Sequence, residues 1–139
     1  MARRLFAVLV HCHSHQFELL QAALERFPVD ICSVNDCTKA RHLISQTEPH
    51  LVFSDLLLRD ETWVDVVNEA ESAAVPIAVI VVGAREDERF RTSALARGAF
   101  AYLAPPFELQ HLEAVLGSAE RDIRERRRAL ALAAVPWNA

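Results

Sequence analysis

Pro49-His50-Leu51-Val52-Phe53-Ser54-Asp55 runs from a proline through an almost unbroken apolar stretch to a carboxylate. Leu51–Ser54 does not alternate between apolar and polar residues, which suits a strand covered on both faces. A charge that ends such a run needs either a purpose or a solvated opening. Four more short apolar runs flank it: Leu5–Val10, Val29–Val34, Ile77–Val82 and Phe100–Ala104. Leu5–Val10 and Ile77–Val82 are nearly continuous in the same way. This is the signature of a parallel sheet buried under helices.

The intervening segments carry helical spacing. Phe17, Leu20, Leu24 and Phe27 recur at three and four residues. Asp36 is placed to cap a second helix with Ala40, Leu43 or Ile44, and Thr47 facing inward, and Pro49 follows its end. Residues 62–74 turn Val64, Val67 and Ala70 inward. Residues 87–97 present Phe90, Ala94 and Leu95, and Gly98 ends that helix. The last and longest helix starts at Glu108. Strand and helix thus alternate five times, which leads through right-handed crossovers to a doubly wound α/β sheet with helices on both faces.

The chain has 139 residues, 52% hydrophobic and 24% charged, with net charge −4. This balance fits one folded domain with an adequate core, and it demands neither a membrane nor a nucleic-acid partner. The run Leu5–Val10 is too short for a signal core, and no stretch approaches the roughly 20 apolar residues of a membrane span. With Cys12, Cys32 and Cys37 as its cysteines, a reduced, cytoplasmic protein is expected. Only three glycines and no Gly-rich phosphate loop argue against a flavodoxin-like cofactor binder or enzyme.

Sites in such sheets form at the carboxyl ends of the strands. His11, Cys12, His13, Ser14 and His15 follow the first run, Asp55 the third, Gly83 and Ala84 the fourth, and Pro105 and Pro106 the fifth. Asp55 is the most informative of these. It is either a cap or surface acid, or a nucleophile or ligand at the sheet edge.

Residues 49–60, Pro-His-Leu-Val-Phe-Ser-Asp-Leu-Leu-Leu-Arg-Asp, resemble the third strand and acceptor loop of response-regulator receiver domains. Residues 94–107, Ala-Leu-Ala-Arg-Gly-Ala-Phe-Ala-Tyr-Leu-Ala-Pro-Pro-Phe, resemble their fourth helix, fifth strand and following turn. Ala7-Val8-Leu9-Val10 and Gly83-Ala84-Arg85-Glu86-Asp87 match the first strand and the end of the fourth. The likeness is collinear over about residues 4 to 117. It implies a five-stranded flavodoxin-like receiver fold of order 2-1-3-4-5, with residues 1–117 as the receiver and 118–139 as a C-terminal helical extension. It also implies a place in two-component signalling rather than an enzymatic role, and Asp55 as phosphoacceptor.

In that family the aspartate is phosphorylated with Mg²⁺ held by an acidic pair, and a Ser or Thr and a Lys contact the phosphoryl oxygens. Here the acidic pair is replaced by His11 and Cys12, the hydroxyl position by Gly83 and the lysine position by Pro105. The usual small residue eight after the acceptor is Trp63, which either covers the space above Asp55 or packs on the third helix. Tyr102 keeps the aromatic switch position. Nitrogen and sulfur donors suit Mg²⁺ poorly, so weak or absent Mg²⁺ binding, no resident cofactor and impaired phosphorylation of Asp55 are expected. The alternatives are an active phosphoacceptor with an unusual pocket, and a transition-metal-responsive variant using His11, Cys12 and Asp55.

Cys32 and Cys37 read as packing residues, and His42 and His50 as surface or edge residues without a recognisable partner. The turn after the fifth strand is either cis before Pro106, as the resemblance implies, or an ordinary rigid trans turn. Along the last helix, Leu109, Leu112, Leu116, Ala119, Ile123, Arg126, Leu130 and Ala133 keep helical spacing. The basic run 121–128 and the apolar tail 129–135 are either a solvated extension or a partner-binding or dimerising helix. The expected partners are a signalling protein (a histidine kinase or an output protein) or a second copy through this helix, with no direct nucleic-acid contact.

Overall fold

Within each strand, alternate residues go to opposite layers. Leu5, Ala7 and Leu9 of β1 (Leu5–Val10) face α1 (His15–Leu24) and α5 (Leu109–Ala133), whereas Val8 and Val10 face the other side. The computed structural model describes residues 4–12 and 14–134. The remaining elements are β2 (Val29–Val34), α2 (Cys37–Thr47), β3 (Leu51–Asp55), α3 (Trp63–Glu71), β4 (Ala78–Val82), α4 (Glu88–Arg97) and β5 (Ala101–Leu103). All pairings are parallel, in the order β2-β1-β3-β4-β5. The doubly wound sheet and its strand order are as expected.

Two cores result. On one face Phe17, Leu20 and Leu24 of α1 and Leu112, Leu116, Ala119 and Ile123 of α5 meet Leu9, Phe53 and Ile80. On the other, Cys37, Ala40 and Ile44 of α2, Val66, Val67 and Ala70 of α3 and Ala94 of α4 meet Val8, Val52, Val79 and Val81. β3 and β4 are buried along their whole length, which is why their sequences lack polar alternation.

Local chemistry sets the helix ends. The Asp36 carboxylate accepts the Lys39 N–H at 2.8 Å and that of Asp87 accepts the Arg89 N–H at 2.9 Å, satisfying orphan donors of the first turn. Gly98 closes α4 at φ 111°, a left-handed position that glycine takes without penalty. Four inward assignments from spacing are corrected. Thr47 is exposed, with its hydroxyl bonded back to the Leu43 carbonyl at 2.7 Å. Val66, not Val64, is the buried partner of Val67 and Ala70. Phe90 and Leu95 stand 46% exposed, because the small Ala94 alone faces the sheet.

The helix α5 is continuous through Gly117, so the boundary drawn at residue 117 falls inside it, and Ala119 and Ile123 beyond that point are fully buried. Within the basic run, Arg127 is no solvated charge. Its Nε donates to the Pro76 carbonyl at 2.9 Å, and its Nη2 to those of Glu48 at 3.1 Å and Pro49 at 2.5 Å. Arg124 and Arg126 pair with Glu120 and Asp122 one turn back. Leu130 and Leu132 are exposed; Val135 and the residues after it lie outside the described residues. No helix among the described residues is long and apolar enough to cross a membrane.

Candidate functional site

Asp55 closes β3 at the carboxyl edge of the sheet, opposite Val82 in the register, so Gly83 is the next residue on the neighbouring strand. Only 8% of Asp55 is exposed. Its Oδ1 accepts two hydrogen bonds, from the Leu56 backbone N–H at 2.8 Å and from the Gln16 side-chain amide at 3.1 Å. Both donors are neutral. Among the described residues no arginine or lysine forms an ion pair with Asp55. The loop after it is tied down by a bridge between Leu57 and Thr62 and by the Leu58 N–H to Glu61 carbonyl bond at 2.9 Å.

Gln16 was not singled out from the sequence. Its position in the first turn of α1, which starts at the same sheet edge, is the signal that was there to use. His11, just past β1, donates its backbone N–H to the Val34 carbonyl at 3.0 Å, and its ring stacks on Phe17 at 4.6 Å between centroids. Cys12 is exposed, and His13 lies outside the described residues. Among the described residues no three His, Cys, Asp or Glu side chains are grouped so as to hold a metal ion, so His11, Cys12 and Asp55 are not assembled as a ligand set. The donor set also fails the Mg²⁺ test on chemical grounds: an imidazole stacked on a phenyl ring and an exposed thiol do not replace carboxylate oxygens.

Gly83 and Tyr102 are interlocked. Tyr102 is 1% exposed and is the largest fully buried side chain among the described residues. A Cβ on Gly83 would lie 2.0 Å from its phenolic oxygen and 2.8 Å from Cζ. The ring therefore takes up the space a side chain at 83 needs. The phenol donates to the Arg85 carbonyl at 2.8 Å, and the Arg91 guanidinium, paired with Glu86, lies 5.5 Å from the ring centroid. Burial, with Glu86 and Asp87 nearby, pushes the phenol's pKa up. Pro105 and Pro106 are joined by a cis bond, and Pro105 supplies neither charge nor N–H at the end of β5.

Trp63 opens α3 and packs, half-buried, against the α2–α3 core, as do Leu43, Leu56 and Leu58. Cys37 is buried, and its thiol is pushed up to about 12 by burial and then by Glu61 and Asp60. His50 differs from its reading as an unpartnered residue: its Nδ1 accepts the Phe6 backbone N–H at 3.0 Å.

The response regulator receiver domain model matches residues 8–117. Among curated relatives, the chain is 28% identical over 108 residues to the DNA-binding transcriptional regulator NtrC of Bradyrhizobium sp. (strain RP501 Parasponia), covering 78% of this chain and 22% of that protein. It is 29% identical over 103 residues to the transcriptional regulatory protein KdpE of Staphylococcus aureus (strain NCTC 8325 / PS 47), covering 74% and 44%. The chain thus spans less than half the length of these relatives. Among solved structures, the signal receiver domain of a Luxo repressor protein from Vibrio parahaemolyticus superposes with TM-score 0.74 at 22% identity, covering 96% of this chain and 100% of that one. NtrX from Brucella abortus gives TM-score 0.78 at 20% identity, covering 94% and 30%. At such identities the structures establish the fold alone.

Proposed function

The chain belongs to the response regulator receiver domain family, and from that premise we propose that it is an atypical receiver of a two-component phosphorelay, acting by protein–protein contact without Mg²⁺-dependent phosphorylation of Asp55. The neutrality of the groups bound to Asp55 carries this reading. Gln16 and Leu56 N–H satisfy one of its oxygens, while Gly83 and Pro105 supply no hydroxyl or ammonium. A carboxylate attacking a phosphoryl group needs cations on the transferring oxygens, and each missing contact costs about 3–4 kcal/mol in the transition state. With several missing, the reaction slows by many orders of magnitude.

The contact face is formed by α4, β5 and α5. Support comes from Phe90 and Leu95, left uncovered on α4, from exposed Leu109 on α5, and from a cleft of about 350 Å³ lined by Glu86, Pro105, Phe107 and His111. The partner proposed is a histidine kinase or an output protein.

Intact-mass measurement after incubation with Mg²⁺ and a small phosphodonor tests the reading. No added phosphoryl mass is expected on the wild-type chain, and gain of one is expected when His11→Asp, Cys12→Asp and Pro105→Lys are combined. A wild-type phosphoryl adduct that Asp55→Asn abolishes would overturn it.

A further inference from the structure

The amino-terminal end of the sheet, opposite the Asp55 edge, holds a side-chain cluster that the receiver reading does not use. His50 precedes β3 and knits three strands together there. Its N–H donates to the Phe6 carbonyl at 2.9 Å, its carbonyl accepts the Ala78 N–H at 3.0 Å, and its Nδ1 accepts the Phe6 N–H. An imidazole nitrogen that accepts a backbone N–H carries no proton, so the ring is neutral with its hydrogen on Nε2.

Arg127 of α5 grips the same corner. It holds the carbonyls of Glu48 and Pro49, immediately before His50, and that of Pro76, two residues before Ala78. One small patch of backbone thus seats both the imidazole and the guanidinium. The charged groups facing His50 come from α5: Arg127, Arg124 and Glu120. Glu120 is already bonded to Arg124 at 3.1 Å, so it offsets little of any new positive charge.

We propose that His50 and Arg127 form a proton-sensitive latch that holds the second half of α5 on the sheet when His50 is neutral and releases it when His50 is protonated. Protonation at Nδ1 sets one N–H against another at Phe6 and places a cation beside Arg127 and Arg124. The Arg127 contacts then weaken, and the turn carrying Arg126 and Leu130, which line the groove beside Pro76 and Ile77, loses its anchor. The first half of α5 stays, because Leu112 and Leu116 are held by the core rather than by charge. The latch is independent of the chemistry at Asp55.

Burial, then Arg127 and Arg124, lowers the folded-state pKa of His50 below its ordinary 6.5. The latch is therefore fully formed above pH 6.5 and is lost as the pH falls through the depressed folded value.

Hydrogen exchange resolved by peptide, corrected for the intrinsic pH dependence of exchange, tests this on the full chain between pH 8 and pH 5. Protection of residues 124–134 should fall on acidification, by up to about tenfold per pH unit between pH 6.5 and the depressed His50 pKa and no further below it, while that of 109–119 holds. His50→Asn, which keeps an acceptor for Phe6 but cannot titrate, should remove the pH dependence. Arg127→Gln should leave 124–134 weakly protected at every pH and raise the His50 pKa, read from its imidazole resonances. The latch is refuted if 124–134 keeps its protection across this range, or if His50→Asn shows the wild-type profile. An unchanged His50 pKa in Arg127→Gln would refute the charge coupling.

Discussion

Gly83→Ala drives a methyl group into the space held by the Tyr102 ring. The added Cβ would sit 2.0 Å from the phenolic oxygen and 2.8 Å from Cζ, closer than any van der Waals contact allows. Because the backbone of β4 is fixed on both sides by β3 and β5, the ring must leave. It then loses the burial of an aromatic side chain, about 1.5–3 kcal/mol, the hydrogen bond to Arg85, about 1 kcal/mol, and the contact with Arg91, about 0.5–1 kcal/mol. Some cover is regained at the surface, so a net cost of about 3 kcal/mol is expected in urea unfolding. In a Tyr102→Ala background the same Gly83→Ala change should be neutral or slightly stabilising, since the space is then open and an alanine restricts the unfolded chain. The double-mutant cycle should therefore return a coupling of about 3 kcal/mol or slightly more. Tyr102 is the only tyrosine, which provides a second readout: its raised phenol pKa should drop toward 10 in Gly83→Ala. A cost below about 1 kcal/mol in the wild-type background, or equal costs in both backgrounds, would refute the interlock.

Three further outcomes are expected. At pH 8 an alkylating reagent should modify exposed Cys12 while sparing Cys37, whose thiol is buried and pushed up to about 12; peptide mass mapping reads this directly. Ile123→Ala should cost about 2–5 kcal/mol in thermal or urea unfolding, because Ile123 is fully buried in the α1–α5 core beyond residue 117. Asp36→Ala, which strips the cap from α2, should cost about 1 kcal/mol in the same assay, and Asp36→Asn distinctly less.

The uncovered Phe90 and Leu95 show where helical spacing stops being informative. Their recurrence marks a helix correctly, but the face it turns inward depends on how close the backbone comes to the sheet. Ala94 lets α4 sit near β4 and β5, which leaves the larger side chains on either side of it in solvent. The same limit applies to Val64, whose inward place is taken by Val66, and to Thr47, which sits at the exposed end of α2 beyond the buried Ile44.

What the sequence determined by itself is what short-range chemistry controls. Unbroken apolar runs require a sheet buried on both faces, and Asp36, Asp87 and Gly98 mark helix ends because their side chains, or the lack of one, act on backbone within a few residues. That His11 and Cys12 follow β1, Gly83 follows β4 and Pro105 follows β5 was equally readable, since it rests only on the order of the runs along the chain. Tertiary structure alone decided which groups touch. Gln16 reaches Asp55 across 39 residues, His50 takes the N–H of Phe6 across 44, and Arg127 holds carbonyls 78 and 79 residues away. The space left by Gly83 has meaning only once β5 brings Tyr102 beside it. Such contacts depend on the packing of whole elements, so no local pattern announces them.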